Sequence, residues 1–400
     1  MKFDTVKLGE YLYIKGRIGW KGLKKSEYLS DGEYRIINGE ALTNDGIDWN
    51  KAGYITQQRY EESPEIMLQE DDILISKDGT IGKIGYVKEL TMPTTVASGI
   101  FVIRNERPKF IDTSFIFHFL RSPYFKAFIE MRTEGSVIPH LYQKDFVELD
   151  FPLYLLDVQK KISSMLNLLD GKIALNKMIN NNLVNQVLAI YRHSFIDTTN
   201  ELRQNCRVDE YFDISIGKTP PRKESQWFST NPNDVTWVSI SDMGTCGLYI
   251  SESSEQITRE AVNRHNVRIV PDNTVLLSFK LTIGRLAITD GEMTTNEAIA
   301  HFKTEKKEIN EYLYCYLKLF NYQTMGSTSS IATAVNSKII KAMPFIVPTD
   351  NEITKFHSLV SPMFVKIKEN QAEIKKLSKL RDTLLPKLIS GELDVSNIDF

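Results

Sequence analysis

Two long stretches with apolar residues at helical spacing constrain the fold more than any other feature. Residues 157–191 and 352–388 place apolar side chains three and four positions apart, as one face of a helix requires. Such regular stripes predict two long helices that pack as an antiparallel coiled coil. A polar residue falls on each apolar stripe, Asn176 in the first and Asn370 in the second. A polar group in a helix seam lowers stability but can fix the register, so we predict that role for both.

The chain also repeats itself. When Ile173 is set against Ile367, an offset of 194 residues (367 − 173), Asn176 falls on Asn370. The stretch DDILISKDGTIGKIGYV is matched by DNTVLLSFKLTIGRLAIT, and GSVIPHLYQKDFVELDFPL is matched by GSTSSIATAVNSKIIKAMPFIVP. Each copy is a block of mixed helices and strands followed by one of the long helices. The repeat therefore predicts a pseudo-two-fold symmetric α+β protein with two tandem α/β domains.

Turn and breaker residues divide the chain further. We predict a first domain at residues 1–153, a central helix at 154–195, a linker and second domain at 196–349, a C-terminal helix at 350–390 and a tail at 391–400. Within the first domain, DDILISKDGTIGKIGYV predicts a hairpin. The run TSFIFHFLRSPYFKAFIEMR predicts helix interrupted at Ser122-Pro123, and SFIDTTNELRQN predicts a linker.

Composition limits the compartment and the partners. The three cysteines are scattered without metal or redox spacing, and no apolar run reaches the roughly 20 residues of a membrane span. We therefore expect a cytoplasmic protein without membrane contact. The formal net charge of −2 means that any contact with nucleic acid depends on local basic patches or on a basic partner.

The sequence offers little for catalysis. Gly79-Thr80-Ile81-Gly82-Lys83 has the wrong glycine spacing for a phosphate loop, so we interpret it as a turn. Asp272 followed by Lys280 has no second carboxylate near the lysine to complete a magnesium nuclease site. The histidines form no close metal-ligand pair, and His118 in FIFHFL is predicted to be a packing residue. No Asn/Asp-Pro-Pro-aromatic motif of an aminomethyltransferase is present.

Basic loops at corresponding places in the two copies are the best candidates for function. Lysine, arginine and hydroxyl groups suit contact with phosphates and base edges. The alternative for any one residue is an ordinary solvated surface. The candidate DNA-binding residues are Lys15, Arg17, Lys21, Lys24, Lys25, Lys77, Lys218, Thr219, Arg222, Lys223, Ser241 and Lys280.

Three segments resemble a known family. GKTPPRK followed by WVSISDM is similar to the target-recognition domain of type I restriction–modification specificity subunits. So are DFPLYLLDVQKKISSMLNLLDGKIALNKMINNNL and KLSKLRDTLLPKLISGELDV. The resemblance implies a non-catalytic subunit whose two domains each read one half of a split site in double-stranded DNA. It also implies helices that dock two adenine-N6 methyltransferase subunits and motor–nuclease subunits that join the complex. The cofactors S-adenosylmethionine, ATP and magnesium would belong to those partners and not to this chain.

Two other functions stay open at this point. The chain could be a DNA-modifying enzyme, a nuclease or methyltransferase with a degenerate site, or an assembly scaffold without sequence preference. The sequence gives neither the DNA target nor the gap between its halves. A helix of about 35 residues rises roughly 50 Å, which matches about 15 base pairs, so the helix pair is predicted to set that gap.

Overall fold

The structure is a computed structural model that describes residues 1–18, 22–133, 140–325, 336–396 and 398. The chain forms two compact units. Unit 1 contains residues 1–172 and 377–400, and unit 2 contains residues 173–376. This grouping differs from the consecutive division predicted above, because each long helix contributes one part to each unit.

Unit 1 is built on an antiparallel sheet in the order β2-β10-β7-β8, beside a second sheet in the order β6-β3-β9. The pairs β1-β11 and β4-β5 complete its strands. The strands are β1 (Asp4–Lys7), β2 (Leu12–Gly16), β3 (Tyr34–Ile37), β4 (Leu42–Thr43), β5 (Gly46–Ile47), β6 (Gly53–Ile55), β7 (Ile73–Ser76), β8 (Ile84–Tyr86), β9 (Thr94–Val96), β10 (Ile100–Asn105) and β11 (Asp150–Leu153). The helices are α1 (Gln57–Glu61), α2 (Thr113–Leu120), α3 (Pro123–Thr133), α4 (Gln143–Val147) and the first half of α5 (Leu156–Tyr191).

Unit 2 repeats this plan with the sheet orders β13-β21-β18-β19-β16, β14-β17-β15-β20 and β12-β22. The strands are β12 (Gln204–Arg207), β13 (Asp213–Ile216), β14 (Phe228–Ser229), β15 (Val235–Val238), β16 (Tyr249–Ile250), β17 (Gln256–Ile257), β18 (Val275–Ser278), β19 (Leu286–Thr289), β20 (Thr294–Thr295), β21 (Ile299–Lys303) and β22 (Pro344–Val347). The helices are α6 (Val208–Tyr211), α7 (Ile240–Met243), α8 (Arg259–Arg264), α9 (Asn310–Leu319), α10 (Ser337–Lys341) and α11 (Asp350–Ile389). The predicted tandem of mixed helix–strand domains is confirmed.

Most local predictions agree with these elements. The predicted hairpin forms from β7 and β8, and the predicted interruption of the helical run separates α2 from α3. Asp112 starts α2 by accepting a hydrogen bond from the Phe115 amide at 2.9 Å, which satisfies one of the free donors of the first turn. The predicted linker after α5 is shorter than expected, because β12 already begins at Gln204 and pairs with β22.

The two long helices supply core to each unit. In unit 1, Ile162 and Leu166 of α5 are fully buried in the cluster that also holds Leu388 of α11. In unit 2, Val187 of α5 and Ile367 of α11 are buried together with the sheet. The helices span the predicted stretches to within two residues at each end. No helix in the described residues is long and apolar enough to cross a membrane.

The two seam asparagines are buried in unit 2, as the apolar stripes predicted. Asn176 is 1% exposed and its side-chain amide donates to Glu373 of α11 at 2.8 Å. Asn370 is 2% exposed and donates to the side-chain oxygen of Asn180 at 2.8 Å. Moving along α5 from Asn176 to Asn180, the contacted residue of α11 moves back from Glu373 to Asn370, so the helices are antiparallel here. A buried amide is costly unless it is bonded, so each bond favours this register over its neighbours.

Candidate nucleic-acid interface

In unit 2, residues 217–223 form a loop after β13, here called the basic loop. Its first residue must be glycine, because a Cβ on Gly217 would lie 2.1 Å from the Thr295 hydroxyl oxygen. The next amide, that of Lys218, donates to the Thr295 carbonyl at 2.9 Å, and the Trp237 indole donates to the Lys218 carbonyl at 3.2 Å. The backbone of Lys218 is therefore held on both sides while its side chain is exposed. An exposed cation on a fixed backbone is suited to contact a phosphate or a base edge.

A buried histidine supports this anchor. His301 of β21 is fully buried, with one ring nitrogen 3.0 Å from the Ser215 hydroxyl and the other 2.7 Å from the Thr295 hydroxyl. Burial lowers the pKa of His301 to about 3, since the charged ring would lose its hydration, and the charges of Lys303 and Arg268 act in the same direction. A neutral imidazole therefore holds Thr295 under the basic loop at neutral pH.

Arg222 has a different place from Lys218 within the same loop. Its guanidinium pairs with the Glu255 carboxylate at 2.7 Å and stacks 4.1 Å from the ring centre of Phe228 and 4.6 Å from that of Trp237. These contacts occupy the planar face and one edge of the group. Arg222 thus shapes the basic loop although its side chain is 52% exposed, and the neighbouring Lys218 and Lys223 also have exposed side chains.

The turn between β18 and β19, residues 279–285, is here called the tip of unit 2. It adjoins the segment that anchors the basic loop, because the Phe279 amide donates to the Ala298 carbonyl at 2.9 Å. Its Lys280 is exposed, and its charge acts on Glu297 together with that of Arg222. Burial alone would raise the pKa of Glu297, but the hydrogen bond from Thr219, its own backbone amide and these two cations lower it overall. The ionised Glu297 therefore accepts a hydrogen bond from the basic loop and attracts the cations of both the basic loop and the tip.

Ser241 joins this face through α7. It is exposed on the first turn of that helix, which Ser239 caps by accepting from the Asp242 amide at 3.3 Å. Arg285 from the tip donates to the Ile240 carbonyl at 2.6 Å. Unit 2 therefore brings the candidates of three distant segments together, and Glu297 is a member of the site that the sequence pattern did not single out.

In unit 1 the structure changes the list of candidates. Arg17 is only 4% exposed and donates to the Val96 carbonyl at 3.1 Å and to the Ser63 hydroxyl at 3.2 Å. Burial lowers the pKa of this guanidinium, and the nearby charge of Arg59 does so too. The proposal that Arg17 contacts DNA was therefore wrong, because its donors are used inside the unit.

The remaining candidates of unit 1 differ in availability. Lys77 is 12% exposed and pairs with Asp78 at 3.0 Å, so its positive charge is already compensated within the unit. Lys15 is half-buried on β2, with its amine 5.7 Å from the ring centre of Tyr13, whereas Lys24 is exposed. Lys21 and the side chain of Lys25 lie outside the described residues.

The possible nuclease pair is separated by the fold. Asp272 precedes β18 and accepts from the Gly291 amide at 2.7 Å, whereas Lys280 follows the same strand. A strand rises about 3.3 Å per residue, so the two side chains lie at opposite ends of β18. Among the described residues, no group of three histidine, cysteine or carboxylate side chains could hold a metal ion. His118 is a packing residue, as predicted: it is 1% exposed and bonded to Asn167 at 2.9 Å.

A duplicated mixed helix–strand domain with two long helices, and with exposed lysines grouped in unit 2, defines a tandem recognition protein. The family described as the type I restriction modification DNA specificity domain matches residues 2–185 and again 200–383. The chain belongs to this family.

Relatives named as specificity subunits agree with the family match. The chain is 25% identical over 389 residues to the type I restriction enzyme MjaIX specificity subunit of Methanocaldococcus jannaschii, covering 86% of this chain and 85% of that one. It is 23% identical over 429 residues to the MjaVIII specificity subunit of the same organism, covering 100% and 94%. The crystal structure of the type I restriction–modification S subunit from M. genitalium has a TM-score of 0.55 at 15% identity, covering 99% and 97%. That likeness concerns the fold.

Proposed function

We propose that this chain is the DNA specificity subunit of a type I restriction–modification complex and that each unit reads one half of a split site. The observation that carries this proposal is the repetition of one recognition domain within a single chain. Two copies of a reader in one chain suit a target with two separate halves.

The charge pattern supports a role for partners in binding. A chain with a formal net charge of −2 can neutralise few phosphates by itself, and phosphate contacts dominate DNA affinity. We expect weak binding by the isolated chain and tight binding once two adenine-N6 methyltransferase subunits dock on the helices. Those subunits would bring S-adenosylmethionine, and motor–nuclease subunits would bring ATP and magnesium. Catalysis would then belong to the partners, in the cytoplasm.

The test is the exchange of the recognition block of one unit. The strands β12 and β22 pair along residues 204–207 and 344–347, so a block cut at 204 and 347 carries both strands of that pair. Replacing it with the corresponding block of another specificity subunit should change one half of the methylated sequence. The matched control exchanges residues 4–153, which β1 and β11 bound in unit 1, and should change the other half.

Methylated adenines mapped across the genome report both exchanges. A change of both halves by one exchange would contradict two independent readers. The rival enzyme function is tested on the purified chain alone, with DNA and either magnesium or a methyl donor. Cleavage or methylation that persists without partners would favour that rival.

A further inference from the structure

Leu281, in the tip of unit 2, has an unusual backbone conformation and an unusually exposed side chain. Its φ is +60°, and the Thr282 amide donates to the Lys280 carbonyl at 2.6 Å, which closes a three-residue turn around Leu281. A turn of this kind with positive φ is rare and strained for a residue with a Cβ. The Leu281 side chain is also 99% exposed, so no packing within the chain offsets the strain.

Unit 1 shows that the fold does not need leucine at this place. In both units a serine fastens the turn: Ser76 donates to the Thr80 carbonyl at 2.7 Å, and Ser278 donates to the Thr282 carbonyl at 2.6 Å. The position that corresponds to Leu281 is Gly79, with a similar φ of +68°. Glycine adopts this conformation without a steric penalty. The leucine therefore has a cost that no packing of its own side chain offsets, and such strained positions cluster at ligand-binding sites.

The surroundings of Leu281 indicate what covers it. The adjacent Lys280 is exposed. The tip and the basic loop are held to the same short segment, because the Phe279 amide donates to the Ala298 carbonyl at 2.9 Å and the Lys218 amide donates to the Thr295 carbonyl at 2.9 Å. A ligand for this surface needs anionic groups for the lysines and an apolar interior within reach of the leucine. Duplex DNA has both, because phosphates flank stacked bases and apolar side chains can enter between base steps.

We propose that Leu281 inserts its side chain between bases of the half-site that unit 2 reads and locally unstacks them. The inference rests on the proposed function, since it needs a DNA half-site against unit 2. Gly79 has no side chain to insert, so the corresponding loop of unit 1 should leave its half-site stacked. The two halves of the target would then differ in deformation as well as in sequence.

The experiment uses the full chain in complex with its methyltransferase subunits. The probes are duplexes that carry the site obtained from methylation mapping, with 2-aminopurine in place of one adenine at a time. This base fluoresces more strongly when it is unstacked. We expect a rise at a position other than the methylated adenine, within the half read by unit 2. Leu281→Gly should abolish that rise and weaken binding of the specific duplex about tenfold to a hundredfold, because an exposed leucine no longer becomes buried.

The variant and its control separate this effect from general damage. Gly79 shows that glycine fits this turn, so Leu281→Gly should fold normally. Leu202, 75% exposed elsewhere in unit 2, supplies the control, and Leu202→Ala should leave binding and fluorescence unchanged. Unchanged affinity of Leu281→Gly, or weaker binding with no Leu281-dependent fluorescence rise, would overturn insertion while leaving the specificity function intact. A wild-type complex that does not distinguish the mapped site from random DNA would overturn both.

Discussion

The carboxylate of Asp170 offers the most quantitative test of how the long helices are held in unit 1. One oxygen accepts from Arg381 of α11 at 2.9 Å, and the other accepts from Arg121, the C-cap residue that follows α2. The side chains are only 20–27% exposed, so water screens these bonds incompletely. A hydrogen bond between charged groups contributes about 1.5–3 kcal/mol, and partial exposure reduces it. We therefore expect Asp170→Asn to lower the stability of unit 1 by about 2–3 kcal/mol.

Hydrogen exchange is the appropriate assay, because a chain with two units need not unfold in one step. A loss of 2–3 kcal/mol corresponds to roughly 30- to 150-fold faster exchange, since 1.4 kcal/mol is a factor of ten. The effect should appear in peptides from residues 156–172 and 377–389, and α9 in unit 2 should be unaffected. The matched control is Asp382→Asn, because Asp382 also bonds Arg381 but is 63% exposed. It should cost less than about 0.5 kcal/mol.

The pH dependence gives an independent check of the same contact. Burial alone would raise the pKa of Asp170, but the hydrogen bonds and charges of Arg121 and Arg381 lower it below its ordinary value of 3.8. A carboxylate with a lowered pKa in the folded state stabilises above the unfolded value and loses that contribution as pH falls through the folded value. The advantage of the wild type over Asp170→Asn should therefore shrink below about pH 4. Equal protection of Asp170→Asn and Asp382→Asn at pH 7 would refute the reasoning.

Four further outcomes are expected. Lys218→Ala should weaken specific DNA binding by about 1–3 kcal/mol without a change in melting temperature, whereas Arg222→Ala should lower both the DNA affinity and the melting temperature. Gel shifts measure the affinity and thermal melts the stability, and equal melting temperatures of the two variants would contradict this distinction. His301 stays neutral in the fold, so stability should fall by up to ~1.4 kcal/mol per pH unit as pH drops below 6.5; a His301→Gln variant with an equally steep fall would contradict this. Four residues inserted near Val184 should lengthen the gap in the methylated site by one or two base pairs, and an unchanged gap at full activity would refute a spacing role. Leu281→Gly should melt no lower than the wild type, since the lost strain offsets the added chain entropy; clear destabilisation would argue against strain.

The repeated architecture could be predicted from the sequence because its signals are local and periodic. Helical spacing in residues 157–191 and 352–388 gave both long helices, and turn residues at matching offsets gave the two hairpins. The buried asparagines followed from the same stripes. These features depend on residues that are close in sequence.

The reading surface was harder to predict because burial depends on partners far along the chain. In the sequence, Arg17 is indistinguishable from an exposed basic residue of a loop, yet its acceptors Ser63 and Val96 lie 46 and 79 residues further along the chain. Arg222 stacks on rings contributed by two strands, which a run of basic residues does not indicate. The alignment of the hairpins did contain one usable signal: Leu281 occupies the place where the other copy has Gly79.

The division of the helices between the units has a consequence for the order in which the protein can fold on the ribosome. Unit 2 is one continuous segment, so it can close as soon as residue 376 has emerged. Unit 1 must wait, because Leu388 and Val395 complete a core that also contains Leu8 and Leu12. A nonsense codon just after position 376 would therefore spare the reader encoded in the middle of the gene. The same nonsense codon would leave the core of unit 1 incomplete, so the loss of recognition would affect the unit encoded at the start of the gene although the mutation lies near its end.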